Sequence, residues 1–253
     1  MAKVVVALLT PLRGEVVLDF GALREHLDFL IEAGVDAVMP GGTTGEGPLL
    51  DDSELAALVQ ETVKGVAGRV RVIAHVGRAG TAHTAALIRV AIEHGADAVS
   101  AVVPYYYALG GDQLERHYRE LITVAGETPL YAYTIPNRTG NELSPDVVRR
   151  LDGLAGVKDS TKDWERHLEY LETGVDVLIG TDAMVVESFR AGSAGCVSAL
   201  ANVRPDLLTR AREGQDVQAE ITALRKELPF PRLKAALSRE ISGYPTTYGS
   251  PLG

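Results

Sequence analysis

Eight times along the chain a short apolar run gives way to a longer amphipathic stretch. The apolar runs begin near Val4, Asp36, Val70, Asp97, Pro129, Gly156, Val175 and Ala194. The stretches at 22–33, 53–66, 81–94 and 113–125 carry apolar residues at helical spacing, as with Leu23, Leu27, Leu30 and Ile31 on one face. The runs at 4–9 and 98–103 are apolar almost without interruption, the pattern of strands covered on both faces. The signature Ala-Gly-Val-Asp-Ala-Val at 33–38 recurs as His-Gly-Ala-Asp-Ala-Val at 94–99, and more weakly at 191–197. Each repeat predicts a helix ending on a glycine, with a strand following at once. Eight such units in 253 residues point to a closed (β/α)8 barrel, a TIM barrel. An open, doubly wound sheet is the alternative. It would carry a glycine-rich nucleotide fingerprint after its first strand, where this chain has Thr10-Pro11-Leu12-Arg13-Gly14. The barrel is expected over 1–228, its ring closed by a helix at 205–228. Pro229 and Pro231 then open a short C-terminal extension, 229–253, packed on the barrel.

A net charge of -9, from 25 basic and 34 acidic residues, argues against a general nucleic-acid binder. No apolar run approaches the roughly 20 residues of a membrane-spanning helix, and the start is too short for a secretory signal. A lone cysteine, Cys196, rules out an internal disulfide and fits a reducing compartment, so a cytoplasmic location is expected. Cys196 itself reads as a small core residue.

In a parallel barrel the active site lies at the C-terminal ends of the strands. The polar residues there are Thr10, the loop 41–46 (Gly-Gly-Thr-Thr-Gly-Glu), His75, Tyr105 to Tyr107, Tyr131, Tyr133, Arg138, Lys158 to Ser160, Thr181, Asp182 and Ser198. One amine, several hydroxyls and a guanidinium suit carbonyl chemistry. Lys158 decides the reading, because a lysine inside an apolar strand is costly unless it is paired. Desolvation of that kind is what makes an amine nucleophilic near neutral pH. The competing roles are a strand-end partner for Asp159 and a side chain that snorkels outward. Tyr131 and Tyr133 share a strand face, so one can move protons beside the amine while the other is a core tyrosine. The loop 41–46 lacks the ending of a P-loop. Its backbone amides suit a carboxylate, and a plain tight turn is the alternative. The histidines show no metal-ligand spacing, so no metal is expected. Those at 26, 83, 94, 117 and 167 fall on helices, where solvated faces account for them. His75, at a strand end, is a candidate for a minor substrate-lining role.

These elements resemble, in order and spacing from Val4 to Asn202, the dihydrodipicolinate synthase / N-acetylneuraminate lyase family of pyruvate-dependent class I aldolases. The matching motifs are Gly-Thr-Thr-Gly-Glu at 42–46, Pro-Tyr-Tyr at 104–106, Tyr133 to Gly140, Gly156 to Ser160 and Gly-x-Asp at 180–182. The resemblance implies that Lys158 forms an imine with pyruvate and needs no cofactor. Tyr133 would relay protons, linked to Thr44 and to Tyr106 of a neighbouring subunit. Thr43 and Thr44 would hold the keto-acid carboxylate, and Arg138 a carboxylate of the second substrate. Gly180, Asp182, Val197 and Ser198 would complete the substrate site. The partners are small molecules, and the family habit predicts a homodimer or homotetramer. The C-terminal extension is shorter than the family's, which bears on the tetramer.

The branch of the family stays open. Asn137-Arg138-Thr139-Gly140 resembles the synthases that use aspartate semialdehyde, and Ala183 replaces the glutamate of sialate lyases. Residues 73–77 and 97–103 look closer to the lyases and 2-keto-3-deoxygluconate aldolases. Thr134 stands where the family usually has asparagine. Asp52 and Leu55 occupy positions that feedback by lysine would give to histidines, so lysine inhibition is not expected. A catalytically retired keto-acid-binding barrel, or a phosphate-sugar barrel using the turn 192–195, are the readings from other classes.

Overall fold

The computed structural model describes residues 1–14 and 17–252. Eight strands close a parallel barrel: β1 (Lys3–Ala7), β2 (Ala37–Met39), β3 (Arg71–His75), β4 (Ala98–Val102), β5 (Leu130–Thr134), β6 (Gly156–Asp159), β7 (Asp176–Ile179) and β8 (Gly195–Ser198). β8 returns to pair with β1, Val197 opposite Val5, so no edge is left exposed. Around the ring run α1 (Phe20–Glu32), α2 (Asp52–Val66), α3 (Thr81–Glu93), α4 (Gly111–Ala125), the short α5 (Pro136–Thr139) and α6 (Pro145–Val148), then α7 (Trp164–Leu171), α8 (Val185–Arg190), α9 (Pro205–Arg212), α10 (Gln218–Glu227) and α11 (Leu233–Glu240).

Strand alternation sorts the apolar runs into two packed layers. Val5, Ala7, Ala37, Met39, Ile73, Ala98, Leu178 and Val197 fill the barrel interior, with Tyr131 packed against them. Their neighbours Val4, Val6, Val38, Val72 and Val99 face outward and join Leu23, Leu27 and Leu30 of α1 in the core between sheet and helices. The first two helices start on satisfied caps: Asp19 accepts from the amides of Gly21 and Ala22, and Asp51 and Glu54 form a reciprocal capping box. The repeated signature behaves as its sequence predicts. Gly34, Gly95 and Gly192 follow α1, α3 and α8 at φ of 79°, 88° and 94°, each just before a strand.

Two expectations need correction. The helix expected at 205–228 is two helices, because Gly214 takes a φ of 90° and ends the first. The apolar pattern runs across the break because Leu207, Leu208 and Ile221 all pack into one core. The histidines at 26, 117 and 167 lie on helices but are buried, not solvated. His26 meets the Asn202 carbonyl at 3.2 Å and His117 meets Thr81 Oγ1 at 2.8 Å. Burial drives both imidazoles down to about 4, so they stay neutral in the fold. His83 is exposed as expected, whereas His94 caps the end of α3 and is half-buried.

After α10 the chain crosses the C-terminal end of the barrel. Leu233, Ala236 and Leu237 of α11, with Ile241 and Tyr244, pack on Leu9, Ala22 and Val203. Asn202 ties the same end together, accepting from the Leu9 amide at 2.9 Å and donating to the Ala7 carbonyl at 2.8 Å.

Candidate active site

A cavity of about 340 Å³ opens at the C-terminal ends of the strands. Its floor carries Ala7, Tyr133, Lys158 and Val197, and Thr43, Thr44, Arg138, Gly180 and Asp182 also line it. Of the predicted site residues, Ser198 touches it only through Asp182, and Tyr106 lies outside it.

β6 holds Lys158 because alternation sends Val157 and Asp159 to the helical side and Lys158 inward. Lys158 is 4% exposed. Its Nζ lies 3.9 Å from the centroid of the Tyr133 ring and 3.9 Å from Met39 Sδ. The register pairs Tyr133 with Lys158 on adjacent strands, which brings phenol and amine together. The Asp159 carboxylate turns away. It accepts from Thr161 and meets His167 Nδ1 at 2.8 Å, while His167 Nε2 meets Ser188 Oγ at 2.8 Å. This buried Ser-His-Asp chain does not line the cavity, and it fastens β6 to α7 and α8. The alternative role of Lys158 as a partner for Asp159 is therefore not realised. His75 does not line the cavity either. It packs edge-on against Tyr133, ring centroids 5.6 Å apart. Its pKa falls to about 3, through burial first and then the charges of Lys158 and Arg78.

The loop after β2 coils so tightly that it tolerates little but glycine at its turns. At Gly41, φ is 75° and a Cβ would sit 2.6 Å from the His75 carbonyl oxygen. This coil presents Thr43 and Thr44 to the cavity, and Thr43 Oγ1 lies 3.4 Å from the Tyr133 hydroxyl. The hydroxyl next to Tyr133 in this chain is thus that of Thr43; Thr44 lines the cavity beside it. Glu46 follows in the left-handed region at φ 59°, an uncommon place for a side chain. It is held there from the C-terminal extension. Its carboxylate accepts from Lys234 Nζ at 2.5 Å and from the Gly249 amide at 2.6 Å. Lys234 also donates to the Thr247 carbonyl at 2.6 Å and stacks over the Tyr248 ring. Glu46 and Lys234 are both fully buried. Burial lowers the Lys234 pKa, with Glu46 opposing the shift.

On the opposite wall Asp182 is buried, and both its oxygens are engaged. Oδ1 accepts from Ser198 at 2.5 Å, and Oδ2 pairs with Arg225 Nε at 3.2 Å. Burial raises the Asp182 pKa against the opposing effects of Ser198 and Arg225. Arg138 stands exposed on α5 at the rim. Tyr106 is 86% exposed and packs edge-to-face on Tyr107. Its φ of 80° is strained for a bulky residue. Asn141 fixes this loop by donating to the carbonyls of Pro104 and Tyr107, 2.8 Å each.

Four lining residues escaped the sequence reading: Lys162, Ala199, Arg225 and Phe230. Lys162 follows the end of β6 and was reachable from the strand-end rule. Arg225 and Phe230 arrive from outside the eight strand ends, with no local signal. Among the described residues no group of His, Cys, Asp or Glu side chains could hold a metal ion, and no helix is long and apolar enough to cross a membrane.

Residues 1–232 match the Dihydrodipicolinate synthetase family. The chain belongs to that family. It is 39% identical over 227 residues, covering 88% of it and 74% of the relative, to an uncharacterized DapA-like lyase of Halobacterium salinarum. It is 36% identical over 253 residues, covering 96% of it and 85% of the relative, to the 4-hydroxy-tetrahydrodipicolinate synthase of Nitrosococcus oceani. The solved dihydrodipicolinate synthase of Aquifex aeolicus superposes with a TM-score of 0.90 at 29% identity, over 100% of this chain and 92% of that one. Membership makes the chain an enzyme of the lyase and synthase kind that acts on small molecules.

Proposed function

We propose that the chain condenses pyruvate with an aldehyde through an imine on Lys158, acting most like a 4-hydroxy-tetrahydrodipicolinate synthase on aspartate semialdehyde. One observation carries this reading: the Lys158 amine is buried on the cavity floor with the Tyr133 ring 3.9 Å away. The neutral amine adds to C2 of pyruvate, and the former carbonyl oxygen takes protons and leaves as water. C3 of the resulting iminium loses a proton, giving the enamine. C3 then attacks the aldehyde carbon, whose oxygen takes a proton. Water adds to the iminium carbon, the product departs, and the Lys158 amine is restored.

Each nearby group has a part in this sequence. The Tyr133 hydroxyl moves protons, with Thr43 3.4 Å away and Thr44 beside it. Thr43 and Thr44 hold the pyruvate carboxylate through backbone and hydroxyl donors. Arg138 takes a carboxylate of the aldehyde. Gly180, Val197, Asp182 and Ser198 form the remaining wall. Tyr106, projecting from a loop braced by Asn141, serves the site of a second copy, so the active species is a dimer or larger.

A second reading, a 2-keto-3-deoxy sugar acid aldolase, is favoured by the hydrogen-bonded Asp182 and Ser198 pair, whose groups suit sugar hydroxyls. Reduction with borohydride in the presence of pyruvate should add the reduced adduct to the intact protein, and consumption of pyruvate should then depend on aspartate semialdehyde. Folded protein that gains no adduct overturns the imine. An adduct with turnover only on sugar-acid substrates favours the second reading, and an adduct with no turnover on any aldehyde indicates a retired barrel.

A further inference from the structure

The whole chain is acidic, at -9, yet its cavity is cationic. Arg138, Lys158, Lys162 and Arg225 line it, and Asp182 is the one acidic residue among the lining side chains. A cleft lined by one sign of charge focuses the local field regardless of net charge. Lys158 lies on the floor; the other three cations belong to the rim.

Arg225 changes what Asp182 can do. A buried carboxylate beside a serine is suited to accept hydrogen bonds from substrate hydroxyls. Here Oδ1 is taken by Ser198 and Oδ2 by Arg225, so neither oxygen is left without a partner. Arg225 is well placed to keep this position. Its helix, α10, is pinned to the Asp182 turn by Gln218, which donates to the Asp182 carbonyl at 3.0 Å and accepts from the Val186 amide at 3.0 Å. Arg225 Nη1 also donates to the Leu228 carbonyl at the end of the helix. The pair is not a remote surface bridge, since Arg225 is two-thirds buried and Asp182 almost wholly so. Beside it, the Thr181 Oγ1 is buried without a partner among the described residues, on the same stretch of cavity wall. With Nε and Nη1 engaged, Arg225 Nη2 is left without a partner among the described residues, and with the Thr181 hydroxyl it matches the oxygens of an anion.

We propose that Arg225 is a specificity-determining residue: by occupying Asp182 and adding its charge to the rim, it selects a substrate with an anionic tail over one with a hydroxylated tail. This rests on the imine reading above and narrows it to one substrate class. It also bears on the second reading, because each Asp182 oxygen already has one partner within the protein, Ser198 or Arg225, and a sugar hydroxyl would have to share it.

Borohydride trapping at graded ligand concentration tests this without requiring turnover. The two probes are 2-oxoadipate, a 2-oxo acid with a carboxylate tail, and 2-keto-3-deoxygluconate, one with a hydroxylated tail. The wild-type protein should trap 2-oxoadipate at the lower half-saturating concentration. Arg225→Leu should reduce that preference about tenfold, the scale of one charge-assisted hydrogen bond. Arg225→Gln should do likewise, and Arg225→Lys should recover part of the preference; circular dichroism melts establish which variants are folded. A folded Leu or Gln variant with the wild-type preference overturns the proposal. So does a wild-type protein that prefers the hydroxylated acid. If the wild type traps no pyruvate at all, the imine reading itself has failed, an outcome distinct from either of these.

Discussion

The floor and the rim of the cavity are built in different ways. The floor consists of strand side chains, Ala7, Tyr133, Lys158 and Val197, all but closed off from solvent and aimed by the register of a closed barrel. The rim consists of Arg138, Lys162 and Arg225 on loops and helices, all charged and in contact with water. A barrel strand cannot turn one side chain without turning its neighbours, so the floor tolerates little change. A rim residue changes with the helix that carries it. Chemistry common to a family therefore belongs on the floor, and the choice of partner belongs on the rim.

This contrast can be broken or sharpened by measurement. The largest expected effect is on the floor. Lys158→Ala should lower turnover with every aldehyde by on the order of 10⁴-fold or more, since the covalent route is lost. Steady-state assays across an aldehyde panel check this, and a variant that keeps turnover with some aldehydes would dissolve the division.

Acid comes next, and it attacks the frame beneath the floor. His26 and His117 are held near about 4 and His75 near about 3, in each case chiefly by burial. Their unfolded-state values lie near 6.5, so below that pH the unfolded chain binds more protons than the folded one. The stability they contribute is fully present above about pH 6.5 and falls as pH drops towards about 4 for His26 and His117 and about 3 for His75, by roughly several kcal/mol in total. Urea melts at pH 7 and pH 5 should show that loss.

The loop that carries Thr43 and Thr44 depends on a clamp from the far end of the chain. Lys234→Met leaves the Glu46 carboxylate buried and unpaired, and should cost about 3–5 kcal/mol in a denaturant melt. Pairing it with Glu46→Gln should recover much of the loss, because no buried charge then remains. Smallest of the four, Tyr133→Phe should lower kcat about 10²-fold, alike for anionic and neutral aldehydes. The rim substitution at Arg225 should differ in kind, shifting preference between substrates.

Legibility in the sequence follows the same division. The eight apolar runs mark the eight strands, and alternation puts Tyr131 and Tyr133 on one face; that this face is the inner one, with Tyr133 beside Lys158, comes from the closed barrel and its register. The glycines at 34, 95 and 192 end their helices as the repeat predicts. What escaped depended on packing between distant segments. The helical pattern at 205–228 hides the break at Gly214 because both pieces bury the same face. His26, His117 and His167 read as solvated from their polarity, although all three share the apolar face. His26 and His117 each lie three residues after one core leucine, Leu23 or Leu114, and four before another, Leu30 or Leu121, and His167 lies three before the buried Tyr170. Thr43 and Thr44 are adjacent, and only the coil of their loop decides which one approaches Tyr133. Arg225 reaches Asp182 from 43 residues along the chain (225 minus 182), through the docking of α10, which no local pattern records.

Lys162 supplies the sharpest check, because it is a second primary amine lining the cavity, on the rim and not the floor. Protein reduced with borohydride in the presence of pyruvate can be digested and its peptides sequenced by mass spectrometry. The adduct should sit on Lys158 and not on Lys162; an adduct on Lys162, or on neither lysine in folded protein, would contradict the assignment of the chemistry to the floor.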